Sequence, residues 1–193
     1  MKKILLLFFF FTSVCFAQMP GHLKGNTVLL PNGWKISPAG KHIQLDDLPM
    51  EMLESPDGRY LIVTNNGYSK PILDIVDLQH LYIKDRVSIE NAWLGLAWNP
   101  TGERLYASLG GKNAVGVFDF KKAGLESVAN LDLPHKEKDS FVAGISVNPD
   151  GSRLYAVQVF ENTLTMLDTS TGKEVKTVAL DAEPYTTLLT ADG

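Results

Sequence analysis

A turn with the pattern Pro-x-Gly recurs along this chain at nearly constant intervals, and this repeat limits the possible folds more than any other feature. It occurs at residues 55–58, 99–102 and 148–151, and Ala191-Asp192-Gly193, with alanine in place of proline, starts a fourth copy. The turn glycines are 44, 49 and 42 residues apart. A period of roughly 40 to 50 residues is typical of the four-stranded blades of a β-propeller, and shorter solenoid repeats do not fit it.

The same order of strands and turns is predicted within each period. A mostly apolar strand leads into the Pro-x-Gly turn, where glycine supplies the positive φ of a tight hairpin. A second strand, a polar loop, a third strand with an acid near its end and an alternating outer strand follow. Alternation at period two, with no sustained helical period, predicts an all-β chain. The predicted strands are 50–53, 60–64, 72–78 and 81–89; 94–98, 105–108, 115–120 and 126–133; and 142–147, 154–157, 164–169 and 174–180.

These strands predict an all-β fold, a β-propeller of four-stranded antiparallel blades that is incomplete, with about three blades present. Propellers use about 4 to 8 blades, so this number cannot close a ring. We therefore expect the sequence to be the amino-terminal part of a longer protein whose remaining chain supplies the missing blades. The expected domains are a signal peptide at 1–17, a head with a short β-hairpin at 18–49 and a strand at 41–45, and repeats at 50–94, 95–141 and 142–187, followed by the start of a fourth.

The amino terminus has the features of an export signal. Lys2 and Lys3 form a short positive start, residues 4–11 are an unbroken apolar run, and Cys15-Phe16-Ala17 carries small residues at both ends. These features predict cleavage after Ala17 and a periplasmic or secreted protein. The apolar run is shorter than the roughly 20 residues that span a membrane, so no membrane span is expected. Lipid attachment at Cys15 is the alternative.

Composition excludes several functions of the processed chain. Removing the signal leaves 16 basic and 22 acidic residues, a balance that argues against nucleic-acid binding. Cys15, the single cysteine, would be removed with the signal, which excludes a thiol nucleophile, a disulfide and a thiolate metal site. The four histidines have no metal-ligand spacing, and no hydrolase elbow, zinc-protease or P-loop motif is present. We expect no catalytic residue, no metal and no cofactor in this chain.

The repeats resemble those of the YVTN-repeat β-propellers, the family that includes YncE-like periplasmic proteins. The signature is visible as Ile62-Val63-Thr64-Asn65 and again over residues 162–173. The resemblance covers roughly residues 50–193 and implies the propeller fold. Residues 27–40, in the head, are similar to the opening of two-part proteins that join such a propeller to a phosphoesterase of the alkaline phosphatase superfamily.

Candidate ligand-binding residues lie in the loops that follow each second strand and in those that enter the inner strands. In a propeller these loops share one face, where a rigid ring presents its binding groups. The alternative is that Asn and Lys serve turn geometry and solubility there. The candidates are Asn65, Asn66, Tyr68, Lys70, Asn91, Trp93, Lys112, Asn113, Glu161, Asn162 and Tyr185.

Two further sets of residues carry structural predictions. Trp93 and Trp98 lie five apart and point to opposite faces of a regular strand, so they either pack between blades or offer one stacking surface to a ligand. Asp77, Asp119 and Asp168 end the third strands at equivalent places, which predicts a hydrogen bond from a backbone N–H of the following turn.

Three functions remain open. The first is a non-catalytic scaffold that binds a ligand, peptide or protein partner through the loop face. The second is the propeller part of a phosphoesterase whose catalytic domain follows residue 193. The third and weakest is a lactonase-like propeller hydrolase.

Overall fold

The computed structural model describes residues 19–134 and 139–190. The predicted signal segment at 1–17 and the start of the fourth repeat at 191–193 lie outside the described residues. All regular structure in the described part is β-strand. No helix long and apolar enough to cross a membrane occurs among these residues.

The chain forms two compact units, Met1–His42 and Ile43–Gly193. In the first unit, β1 (Gly21–His22), β2 (Val28–Leu29) and β3 (Lys35–Ile36) pair in chain order as a small antiparallel sheet. The strand predicted at 41–45 is wrong, since these residues form no strand.

The second unit holds three four-stranded antiparallel sheets, which we number as blades 1 to 3. Each blade uses four consecutive strands paired in chain order, the arrangement of an incomplete β-propeller, as predicted. Every predicted blade strand begins and ends within two residues of the observed one. The strands of blade 1 are β4 (Pro49–Glu54), β5 (Tyr60–Asn65), β6 (Ile72–Asp77) and β7 (Tyr82–Ser88); those of blade 2 are β8 (Leu96–Trp98), β9 (Arg104–Ser108), β10 (Ala114–Lys121) and β11 (Gly124–Asp132); and those of blade 3 are β12 (Val142–Val147), β13 (Arg153–Gln158), β14 (Thr163–Asp168) and β15 (Glu174–Ala179).

The Pro-x-Gly turns form for a local reason. Gly58, Gly102 and Gly151 all adopt positive φ, between 68° and 76°, which an L side chain rarely adopts. The residue that opens each turn also binds the strand that follows. Asn99 Oδ1, for example, accepts a hydrogen bond from the backbone N–H of Arg104 at 2.9 Å. Turn sequence and hairpin register are therefore linked.

The core lies between the blades. On β9, Leu105 and Ala107 belong to the apolar cluster shared with blade 1, whereas Tyr106 between them belongs to the cluster shared with blade 3. Successive side chains of β9 thus point to opposite faces of the sheet and pack in two different interfaces between blades. Leu105 is fully buried, as are Ile75 in the first cluster and Leu154 in the second.

Residues after β15 run along the inner strand of blade 3. The Gly144 N–H donates to the Tyr185 carbonyl at 3.0 Å, and the hydroxyls of Ser146 and Thr187 are 2.9 Å apart. A Cβ on Gly144 would come within 2.4 Å of Thr186 Cα, so this close approach requires glycine. Residues 184–190 therefore occupy the side of β12 opposite β8, where an inner strand of a next blade would lie.

Candidate ligand-binding face

Loops at one end of the blades meet across the blade boundaries. Asn66, just after β5, donates its side-chain N–H to the carbonyl of Trp93, which precedes β8, at 3.3 Å. Gly110, just after β9, accepts from the N–H of Val142 at the start of β12 at 3.1 Å. The end of each second strand therefore contacts the entrance of the next inner strand. We call this end of the molecule the loop face.

Three aromatic rings form a row on the loop face. Trp93 meets Phe141 edge to face with 5.2 Å between ring centroids, and Phe141 lies 5.8 Å from Phe160. Phe160 is 57% exposed, whereas Trp93 is half-buried and packs with Val157 and Val159 of blade 3. The row therefore runs from the boundary between blades 2 and 3 to the surface, and its outer ring is accessible.

The side chains on this face include four buried polar atoms without a hydrogen-bond partner. They belong to four of the sequence-predicted candidates, and no other described side chain that is not exposed has such an atom. A buried polar group without a partner costs about 1 to 3 kcal/mol, so each of these atoms requires an explanation. The atoms are Asn65 Oδ1, Asn66 Oδ1, Trp93 Nε1 and Asn162 Oδ1.

Both polar groups of the Asn113 side chain make hydrogen bonds, and one of these bonds joins blades 2 and 3. Its side-chain N–H donates to the Leu133 carbonyl at 3.0 Å, and its Oδ1 accepts from Gln158 Nε2 of blade 3 at 3.0 Å. Gln158 also donates to the Pro134 carbonyl at 2.6 Å and accepts from the Thr165 hydroxyl at 2.9 Å. Gln158 is 1% exposed. Sequence reasoning placed Asn113 among ligand-binding residues and missed Gln158, which sits one residue past the predicted end of its strand.

Asn65 belongs to a polar group on the free side of blade 1. Its Nδ2 donates to Asp74 Oδ2 at 3.0 Å, and Arg86 Nε donates to Asp74 Oδ1 at 2.9 Å. Asp74 is fully buried and Asn65 is 1% exposed. The Asp74 carboxylate therefore has a charged partner and a neutral one, as a buried charge requires.

The remaining candidates are dispersed rather than gathered into one site. Tyr68, Lys70 and Asn91 are exposed, and Asn91 adopts a left-handed φ of 50°. Lys112 pairs with Glu90, and the pKa of the Glu90 carboxyl is lowered by the hydrogen bond and charge of that lysine.

Glu161 and Tyr185 complete the set. Glu161 accepts a hydrogen bond from the Ser140 hydroxyl, and Tyr185 is 55% exposed with its carbonyl bonded to Gly144.

The acids that end the third strands serve different purposes. Asp77 accepts from the His80 N–H at 2.7 Å, and Asp168 accepts from the N–H groups of Ser170 and Thr171 at 3.1 and 3.0 Å, as predicted. The prediction is wrong for Asp119, which pairs with Arg104 and Lys121 instead. The hydroxyl of Ser170 and the N–H of Thr171 are the main reasons that the pKa of Asp168 lies far below its ordinary value.

Trp98 is a bridge between blades, unlike Trp93. Its indole N–H donates to the Glu54 carbonyl of blade 1 at 2.9 Å, and its ring packs edge to face on Phe120 at 5.3 Å. The two tryptophans therefore separate as the alternation predicts. Trp98 is a packing residue, and Trp93 has a free polar atom.

An apolar groove of about 320 Å³ lies away from the loop face, on blade 1. Its walls include Ile43, Leu45, Leu61, Val63 and Val76. Leu61 and Val63 alternate along β5 with Tyr60 and Ile62, which belong to the cluster shared with blade 2. The groove is therefore the side of blade 1 opposite blade 2. Among the described side chains, no group of three or more His, Cys, Asp or Glu is placed to hold a metal ion.

Comparisons with known proteins identify the fold. The sequence matches no protein-family model, and no curated protein matches it. Solved structures do match. The hydrazine synthase of Kuenenia stuttgartiensis is 21% identical with a TM-score of 0.61, over 76% of this chain and 40% of that one. A "putative 6-phosphogluconolactonase" of Bacteroides uniformis ATCC 8492 is 18% identical with a TM-score of 0.66, over 86% and 54%.

A protein of unknown function from Desulfotomaculum acetoxidans DSM 771 is 14% identical with a TM-score of 0.66, over 87% of this chain and 54% of that one. This chain thus spans about half the length, or less, of the solved chains that it resembles. At these identities the likeness shows the propeller-type fold alone.

Proposed function

We propose that this chain is a YncE-like β-propeller module of the YVTN-repeat type that binds a ligand on its loop face and has no catalysis of its own. One observation supports the proposal most. Trp93 Nε1 and Asn66 Oδ1 are buried without partners, and Asn66 is hydrogen-bonded to Trp93 itself. Two contacting residues, one of them in a row of aromatic rings, therefore leave a donor and an acceptor unused.

The chemistry of these groups favours a neutral ligand with hydroxyl groups and an apolar face. A hydroxyl both donates and accepts, so it can serve an amide oxygen and an indole N–H. The exposed ring of Phe160 offers a flat apolar surface of the kind on which a sugar ring can lie. The described contacts of the three rings are aromatic and aliphatic, which favours a ligand with an uncharged, apolar face.

The test observes the indole N–H groups directly. The chain has three tryptophans, Trp34, Trp93 and Trp98, so an amide correlation spectrum of the nitrogen-15-labelled protein contains three indole signals, assigned by substituting each in turn with phenylalanine. We expect neutral mono- and disaccharides that bind to shift the Trp93 signal and leave that of Trp98, whose N–H is bonded to Glu54, in place. Binding that shifts only Trp34 or Trp98 would show that the ligand site is elsewhere.

Enzymatic alternatives are tested on the same preparation. Residues 27–40 resemble the opening of proteins with a downstream phosphoesterase domain, and one solved neighbour is described as a lactonase. For this chain we expect no turnover above buffer of a phosphate monoester or diester with added Zn²⁺ or Mg²⁺, nor of a sugar lactone. Turnover that disappears in a variant of a loop-face residue would overturn the non-catalytic assignment.

Export is part of the proposal and has its own measurement. The protein recovered from outside the cytoplasm should begin at Gln18, because the small residues of Cys15-Phe16-Ala17 fit a signal cleavage site. Mass spectrometry of the intact protein measures this directly. A chain that retains Met1 to Ala17, or that carries a lipid on Cys15, would contradict it.

A further inference from the structure

The boundary between blades 2 and 3 is joined by a carboxamide pair. Asn113 lies just before β10 with a left-handed φ of 52°, and its carbonyl accepts from the Leu133 N–H at 3.0 Å. Its side-chain oxygen receives the Nε2 of Gln158, the last residue of the second strand of blade 3. The acceptor thus belongs to one blade and the donor to the next.

The boundary between blades 1 and 2 has the same positions with apolar residues. Pro71 accepts from the Ile89 N–H at 3.0 Å, so it occupies in blade 1 the place of Asn113. Leu109 follows β9 where Gln158 ends β13, and it is buried in the cluster shared with blade 1. At the boundary between blades 1 and 2, Pro71 and Leu109 occupy the two equivalent positions. At the boundary between blades 2 and 3, Asn113 and Gln158 occupy them.

Asn162 occupies this place in blade 3. It has a left-handed φ of 51°, and its carbonyl accepts from the Leu180 N–H at 2.7 Å, the same backbone bond that Asn113 makes with Leu133. Its Oδ1 is buried and unpartnered, whereas the equivalent Oδ1 of Asn113 holds Gln158. Residues Tyr185 and Thr187 already run along β12 on this side of blade 3.

We propose that this side of blade 3 receives a further blade of the same polypeptide whose second strand ends in a glutamine, and that this glutamine donates its N–H to Asn162 Oδ1. The unpartnered oxygen of Asn162 requires a donor, and the boundary between blades 2 and 3 supplies the geometry and the example of glutamine as that donor. The inference concerns assembly of the ring and stands independently of the ligand proposed for the loop face.

Blade 1 of a second copy fits this surface less well. Asn65 ends β5 at the place of Gln158, but its Nδ2 is committed to the Asp74 carboxylate, so its unpartnered atom is an oxygen. Two carboxamide oxygens cannot hydrogen-bond to each other. In addition, residues 184–190 occupy the position that β4 of a second copy would need.

The first test compares two matched substitutions in the full chain, Asn113→Gly and Asn162→Gly. Glycine tolerates positive φ, so the backbone change is the same at both sites. Asn113→Gly removes two hydrogen bonds and should raise the unfolding equilibrium constant by about tenfold more than Asn162→Gly, measured by urea titration. Equal losses at the two sites would overturn the assignment of Asn162 Oδ1 as a vacant acceptor.

The second test adds a further blade to the chain. Ala191-Asp192-Gly193 aligns with Pro149-Asp150-Gly151 and shares its Asp and Gly, so a copy of residues 152–190 joined after Gly193 continues the repeat and brings its own copy of Gln158. The Gln→Leu change in that copy should raise the unfolding constant by about tenfold, and the difference should disappear when Asn162→Gly is present. A difference of the same size in both backgrounds would overturn the pairing.

The oligomeric state shows whether the partner of Asn162 Oδ1 lies on a second copy of the chain. Light scattering on the eluting 193-residue chain should give a mass that Asn162→Gly leaves unchanged. A dimer that Asn162→Gly dissociates would place the partner of this oxygen on another copy and overturn the proposal. The first test alone shows whether Asn162 Oδ1 lacks a partner in this chain, and it does not depend on whether the extended chain folds.

Discussion

Replacement of Gln158 by methionine should be among the most destabilising single changes in the second unit. Methionine has nearly the length of glutamine, so the substitution removes the carboxamide without leaving a large cavity. The lost groups are the donor to Asn113 Oδ1 and Pro134 O and the acceptor for the hydroxyls of Thr163 and Thr165. Thr165 keeps a second partner in Thr177 at 3.0 Å, whereas Asn113 Oδ1 and the Thr163 hydroxyl keep no other hydrogen bond within the described part of the chain.

These losses set the expected magnitude. The orphaned Asn113 acceptor costs about 1 to 3 kcal/mol and each of the three further lost bonds costs about 1 kcal/mol, so we expect the free energy of unfolding to fall by about 4 to 6 kcal/mol. For a chain of this size that corresponds to a melting temperature roughly 8 to 24 °C lower. Circular dichroism at the β-sheet minimum, recorded against temperature and against urea, measures both quantities.

A matched control separates this network from the chemistry of the substitution. Gln44 is exposed, so Gln44→Met makes the same change outside the core and should alter stability by less than about 0.5 kcal/mol. A second check is the double variant with Asn113→Gly, which should be less destabilised than the sum of the two single changes. If Gln158→Met stayed within about 0.5 kcal/mol of the parent, the network would not join the blades as described.

Leu105→Ala empties a fully buried site between blades 1 and 2 and should cost about 2 to 5 kcal/mol in urea unfolding. Gly95→Ala would put a Cβ 2.5 Å from the Ala143 carbonyl oxygen, so the inner strands must move apart and calorimetry should show a loss of about 1 to 3 kcal/mol. Because the pKa of Asp168 is lowered by folding, its carboxylate stabilises the fold above about pH 4 and that contribution is lost as the pH falls towards the folded value. Asp168→Asn should therefore lower the melting temperature at pH 7, and the difference from the parent should narrow between pH 4 and pH 3.

The fold could be predicted from sequence because its determinants are local. A glycine at positive φ, an Asn or Ser that binds the strand after the turn, and alternation at period two all act within about ten residues. The strand at 41–45 was predicted from such a local pattern as well, yet strand β4 begins only at Pro49. Lys41 to Leu45 lack a pairing partner, and a local pattern cannot supply one.

The site could be predicted less well, because its contacts join residues a whole repeat apart. Gln158 and Asn113 are separated by 45 positions, and Asn66 and Trp93 by 27. Nothing near Asn113 in sequence distinguishes it from a loop residue that faces a ligand. A position-by-position comparison of the repeats could have found it, since Asn113 and Asn162 occupy equivalent places and both adopt left-handed φ.

The unpartnered atoms of Asn162 and Trp93 have different explanations. Asn162 Oδ1 has an equivalent, Asn113 Oδ1, which is satisfied by the neighbouring blade, so a protein contact is the natural explanation for it. Trp93 corresponds to Pro49 in blade 1 and to Val142 in blade 3, neither of which has a polar side chain. The other blades of this chain therefore give no example of a neighbouring blade that bonds a side chain at the position of Trp93. By this reasoning Asn162 belongs to ring assembly, and Trp93 with Asn66 is left as the pair that a ligand would satisfy.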